Sequence, residues 1–141
     1  MLKKIMTVAL IFSLISFNSV SVAEKTETIY SEDNTSIIVT ADHPQFKITL
    51  KSNPTTGYSW FLREYDASLI KPIKNEYQRP EKSLIGASGF EVWTFKIKPI
   101  GFTVPHQTAL RMVYARPWNK TDPGTQLVFH VTTQAKSVSK K

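Results

Sequence analysis

Apolar and polar residues alternate with a period of two along most of this chain. Phe46, Ile48 and Leu50 alternate with Lys47, Thr49 and Lys51, and Trp93, Phe95 and Ile97 with Thr94, Lys96 and Lys98. Leu110, Met112 and Tyr114 alternate with Arg111 and Val113, and Leu127, Phe129 and Val131 with Val128, His130 and Thr132. An extended backbone sends successive side chains to opposite faces, so the pattern predicts half-buried antiparallel strands. Further strand candidates are Glu27–Ser31, Ser36–Thr40, Tyr58–Glu64 and Leu69–Gln78. No stretch keeps a 3.6-residue period, which leaves helix a minor component. Short strands separated by Pro- and Gly-bearing turns predict an all-β fold, an immunoglobulin-like antiparallel β-sandwich of seven to eight strands. Pro72 has no N–H to give to a ladder and demotes the Leu69–Gln78 run to an edge or irregular strand. Trp60 and Trp93 lie in strands beside other large apolar groups and are expected in the core.

Three stiff connections punctuate this pattern. Asn53-Pro54-Thr55-Thr56-Gly57-Tyr58 combines a proline that presets φ with a glycine that supplies φ > 0, the makings of a sharp turn. Gly86-Ala87-Ser88-Gly89-Phe90 and Arg116-Pro117-Trp118 are the other two. They occupy every second loop. In an up-and-down sandwich strand direction alternates, so all three should emerge at one end. The loops near Asp66 and from Pro99 to His106 should lie at the other.

The first 23 residues stand apart. Lys3 and Lys4 precede a mostly apolar run from Ile5 to Phe17, and Ser21-Val22-Ala23 supplies the small residues of a cleavage site. The apolar run is short for a membrane span, which takes roughly 20 residues. The expectation is a signal peptide, residues 1–23, followed by a single domain, residues 24–141, secreted or periplasmic and with no stable membrane insertion after cleavage. The chain contains no cysteine, which excludes a disulfide scaffold, a thiol nucleophile and lipid attachment after the apolar run. Removing Lys3 and Lys4 lowers the formal charge from +7 to +5. A basic excess of this kind suits nucleic acid, anionic glycan or anionic lipid. Part of it lies in the tail Lys136–Lys141, however, and the other lysines are spread along strand-like segments. That distribution predicts a solvated sandwich surface and no nucleic-acid partner.

Catalytic patterns are absent. His43, His106 and His130 have no metal-ligand spacing, and His130 falls on the outward phase of its strand. Glu24, Glu27, Glu32 and Asp33 crowd a segment expected to be solvated. Gly86-Ala87-Ser88-Gly89 is neither a nucleophile elbow nor a phosphate loop. No enzyme, metal or cofactor is expected. Trp118 follows Arg116-Pro117 in a loop; it either folds back over the core or stands exposed as an interface anchor beside an arginine. Thr55 and Thr56 either bond to their own turn or offer hydroxyls to a narrow cleft.

The sequence Asn53–Trp60, N-P-T-T-G-Y-S-W, together with the downstream Arg116-Pro117-Trp118, resembles the chagasin family of cysteine-protease inhibitors. The likeness extends from about Ile37 to Val131. The second loop departs from the family's G-x-G-G, with Ser88 in place of a glycine. If that position needs φ > 0, the loop must take another shape or carry strain. The resemblance implies an immunoglobulin-like fold and reversible, competitive, 1:1 inhibition of papain-like cysteine proteases by a monomer without cofactor. It implies that Thr55-Thr56 approach the catalytic Cys–His pair and that Gly86–Phe90 lie along the cleft. Arg116 and Trp118 would grip its far side. From a different class, a secreted glycan-binding or adhesion module would stack Trp118 and Phe90 on sugar rings.

Overall fold

A computed structural model describes residues 28–81 and 86–135. The expected signal peptide and the tail Lys136–Lys141 lie outside the described residues. Eight strands follow in chain order: β1 (Ile29–Tyr30), β2 (Ser36–Val39), β3 (Gln45–Ser52), β4 (Ser59–Glu64), β5 (Ile70–Gln78), β6 (Gly89–Ile97), β7 (His106–Ala115) and β8 (Thr125–Thr133). Two 3-10 turns, Pro54–Thr56 and Pro99–Phe102, are the only helical elements among the described residues. They form the expected all-β sandwich.

The strands make two four-stranded sheets, β1-β3-β6-β5 and β2-β8-β7-β4. Inward positions of the alternating runs form the core between them: Phe46, Ile48 and Leu50 on β3, Phe95 and Ile97 on β6, and Leu110, Met112, Phe129 and Val131 opposite. Phe46 and Phe95 are register partners, and their rings stack at 5.4 Å. Burying one such side chain contributes about 1.5–3 kcal/mol, which is why the alternation selects one face of each strand.

The order of strands differs from a simple up-and-down arrangement. Only β5–β6 and β7–β8 are sequential neighbours, and β1 pairs with β3, and β2 with β8, in parallel. Direction nevertheless alternates along the chain. Most connections pass from one sheet to the other, so β1 comes to lie beside β3, which runs the same way. The crossovers therefore leave the expected loop placement intact: the three stiff loops share one end. At the opposite end Lys98 Nζ reaches Ala67 O at 2.7 Å, which joins the Asp66 turn to the Pro99 connection.

β5 is an edge strand, and its pairing with β6 slips one residue between Pro72 and Lys74. The missing N–H at Pro72 accounts for the break. Trp60 is buried and donates its indole N–H to Lys51 O at 3.0 Å. Trp93 corrects the expectation of two core tryptophans. It is half-buried at the margin of the core, and its indole nitrogen has no acceptor.

Candidate functional site

The first loop is a turn that satisfies itself. Pro54–Thr56 form one 3-10 turn, closed by Gly57 at φ 80°, whose N–H reaches Pro54 O at 2.9 Å. A side chain at that φ would be strained, so the glycine is required. Both threonine hydroxyls turn inward: Thr55 Oγ1 donates to Asn53 Oδ1 and Thr56 Oγ1 to Asn53 O, each at 2.6 Å. Of the two roles open to these threonines, the structure supports the turn-stabilising one. Both residues remain exposed at the tip.

The third loop is clamped onto the first. Arg116 Nε donates to Thr56 O at 3.0 Å, and its guanidinium lies 4.5 Å from the centre of the Tyr58 ring. The six-membered ring of Trp118 lies against Gly57; a Cβ there would come within 2.6 Å of Trp118 Cζ2. Gly57 thus serves twice, for its φ and for the space the indole takes. Trp118 remains 68% exposed, so it does not fold back over the core.

Tyr114, which the alternation marks only as an inward residue, sits under both loops. Its hydroxyl accepts from Asn53 N at 2.9 Å, and its ring packs on Tyr58 at 5.2 Å and on Trp60 at 5.0 Å. Tyr58 in turn donates its hydroxyl to Asp122 Oδ2 at 2.8 Å. The Asp122 carboxyl is held below the usual aspartate range, first by the Gly124 N–H and then by the Tyr58 hydroxyl. Tyr58 is pushed above its ordinary value, chiefly by the same hydrogen bond. By linkage, the Asp122 contribution is present above the ordinary aspartate pKa and is lost as pH falls through the lowered one. The Tyr58 contribution is present below the ordinary tyrosine pKa and is lost as pH rises through the raised one. The tie between first and third loops therefore holds across the neutral range. Tyr58→Phe should raise the Asp122 midpoint only part of the way to the ordinary value, because the Gly124 amide stays in place. Titration of the carboxyl by NMR checks this; a full return would assign the shift to the phenol instead.

The second loop joins more loosely. Asn53 Nδ2 reaches Gly86 O at 3.3 Å, the one hydrogen bond between first and second loops among the described residues. Gly86 takes the left-handed turn at φ 82°, whereas Ser88 has an ordinary negative φ, since no described residue other than glycine has a positive one. The serine thus replaces glycine without strain. Gly89 and Phe90 belong to β6 and not to a loop. A Cβ on Gly89 would strike Gln78 O and the Tyr77 hydroxyl, so only glycine fits there. Phe90 pairs with Lys51 and Gln78 and points off the outer face of its sheet. The structure therefore brings together Asn53–Tyr58, Arg116 and Trp118, with Gly86–Ser88 alongside and Gly89 and Phe90 at the start of β6.

Beneath the first two loops lies a group that composition hid. Glu91 is 5% exposed, and its Oε1 accepts from Ser52 Oγ at 2.7 Å and from Trp60 N at 3.2 Å. One carboxyl thus ties β6 to the last residue of β3 and to β4 across the sandwich. The signal was present in the pattern, because Glu91 occupies the inward phase shared by Trp93, Phe95 and Ile97.

Comparison with known proteins agrees with this geometry. The family model described as chagasin family peptidase inhibitor I42 matches residues 41–133, a span that contains all three loops. Chagasin of Trypanosoma cruzi is 33% identical over 76 residues, which is 51% of this chain and 64% of that protein's length. Among solved structures, the cysteine protease inhibitor EhICP2 from Entamoeba histolytica superposes with TM-score 0.61 at 20% identity, covering 75% of this chain and 93% of that one. Amebosin gives 0.54 at 23% identity, covering 78% and 98%. PbICP-C, solved in complex with falcipain-2, gives 0.50 at 17% identity, covering 77% and 91%. At these identities the structures show a shared sandwich fold.

Proposed function

Because the chain belongs to the chagasin family of peptidase inhibitors, we propose that it is a reversible, competitive inhibitor of papain-like cysteine proteases. It binds one protease through the loop end, as a monomer and without a cofactor. The observation that carries this reading is the clamped pair of loops, in which Arg116 holds the Thr56 carbonyl and Trp118 covers Gly57.

The chemistry follows from the shape of the tip. A protease cleaves an extended peptide whose carbonyl lies over its thiolate. A 3-10 turn fixed by Pro54, by Gly57 and by two threonine-to-Asn53 hydrogen bonds presents no such extended carbonyl. It fills the cleft and is not cut. The loops are ordered before they dock, so little conformational entropy is lost and contact energy is retained as affinity. Arg116 holds the turn, while Trp118 offers an apolar surface to the partner.

With residues 1–23 read as a signal peptide, the inhibitor acts outside the cytoplasm, in the periplasm or beyond the cell. The glycan-binding alternative would need Phe90, on the outer face of its sheet, and Trp118, against Gly57, to serve one sugar surface.

Titration of residues 24–141 against active papain, with a small fluorogenic substrate, tests the proposal. Stoichiometric and competitive loss of activity that reverses on dilution is expected. Failure to inhibit papain or a cathepsin L-like enzyme at micromolar concentration would overturn it.

A further inference from the structure

The lysines that look scattered in the sequence gather on one face. Of the seven described, Lys47, Lys51, Lys71, Lys74 and Lys96 all project from the outer side of the β1-β3-β6-β5 sheet. Register places Lys47 and Lys74 on either side of Thr94, and Lys71 directly opposite Lys96. Like charges facing each other across a ladder are destabilising, so the pair is a cost that the fold by itself does not need. Glu76 is the one carboxylate in these rows, and it pairs with Lys74 at 2.8 Å. Glu32 sits at the rim, where its carboxylate accepts the Lys51 amide. No described lysine lies on β2, β8, β7 or β4; the outer face of that sheet carries Arg63, beside Phe61 and Val113, and Arg111, which is matched by Glu64 at 3.5 Å. The lysines on strands are therefore one-sided.

We propose that this face docks on an anionic lipid surface. The charges spread over three strands about 4.8 Å apart, as a flat array and not as a groove or a line, and so match a plane better than a single polyanionic chain. They are ammonium groups without the bidentate fork of arginine, suited to the diffuse field of phospholipid headgroups. Ile29, 62% exposed, and Phe90, 45% exposed, project from the same face beside Lys47 and Lys51. Apolar groups among lysines are the composition that reaches the headgroup–acyl boundary. Thr94, outward-facing yet only 5% exposed, shows that the flanking side chains already lie over the strand, their stems against the sheet and their charges outward. With the sheet lying on the membrane, the loop end faces sideways and stays open to a protease.

Sedimentation of the full chain with vesicles tests the proposal, using phosphatidylcholine alone or with about one-third phosphatidylglycerol. An apolar N-terminal segment would bind both, so the ratio of the two partition coefficients is the readout. A ratio of about tenfold or more is expected, falling with salt. The triple variant Lys71→Gln, Lys74→Gln, Lys96→Gln should bring the ratio close to one. Its thermal midpoint should be unchanged or higher, because the Lys71–Lys96 repulsion is gone, and its protease inhibition in solution should be unaltered. Equal binding to both vesicle types would overturn the proposal, as would a ratio that survives the triple variant. Retention on heparin or DNA without vesicle selectivity would assign the face to a polyanionic chain and also overturn it.

Discussion

Trp118→Ala should weaken inhibition of a papain-like protease by roughly 30-fold or more, equivalent to about 2 kcal/mol. The indole is mostly exposed in the free protein and contributes nothing to the core, so thermal stability should hardly change. Its position is nevertheless set, because the ring lies on Gly57 with no Cβ between them. A large aromatic surface that is already oriented meets the requirement for an interface anchor: area is buried on docking with few rotamers to freeze. The effect should appear mainly as faster dissociation, since the fixed loops leave the encounter unchanged. An inhibition constant equal to that of the unmodified protein would remove Trp118 from the binding surface and leave Arg116 and the first turn to carry it.

Glu91→Ala should cost about 3 kcal/mol of stability. The substitution removes the acceptor for the Ser52 hydroxyl and the Trp60 amide, both of them buried, and each unsatisfied group costs about 1–3 kcal/mol. The truncated side chain also leaves a void that the sheets fill only in part. For a domain of this size the thermal midpoint should fall by about 10 °C. The loss should extend to function, because Ser52 is the last residue of β3 and Asn53 begins the turn proposed to enter the protease cleft. Inhibition measured well below the midpoint should therefore weaken as well. Glu91→Gln keeps an oxygen acceptor in place and should recover most of the stability. A Glu91→Ala protein that melts with the unmodified one would show that the carboxyl is incidental to the loop end.

Much of the fold is legible in the residue pattern. Each alternating run became a strand within a residue or two, and Pro72 fell on an edge strand at a break in register. Small offsets have local causes. Tyr58 stays outside β4 because its ring and hydroxyl are engaged by Arg116 and Asp122, while Gly89 and Phe90 extend β6 because Ser52 and Lys51 remain available to pair with them. The parallel pairings of β1 with β3 and β2 with β8 left no trace in the pattern. Alternation says which side of a strand is buried and nothing about which strand lies beside it.

The candidate site divides in the same way. Asn53–Tyr58 and Arg116–Trp118 are recognisable because proline and glycine mark turns wherever they occur. Tyr114, Asp122 and Glu91 are not, because each acts on a residue more than 30 positions away or across the sandwich, and the sequence carries no record of that proximity.

The residue order alone was sufficient for the strands, for the buried side of each and for the turn-forming loops at alternate connections, since these depend on a period of two and on local φ preferences. Packing of two sheets decided the rest: the clamp of Arg116 and Trp118 on the first turn, the buried Glu91 beneath it, and the gathering of five lysines on one face. These depend on which strands become neighbours, and only burial of a common core selects among such long-range pairings.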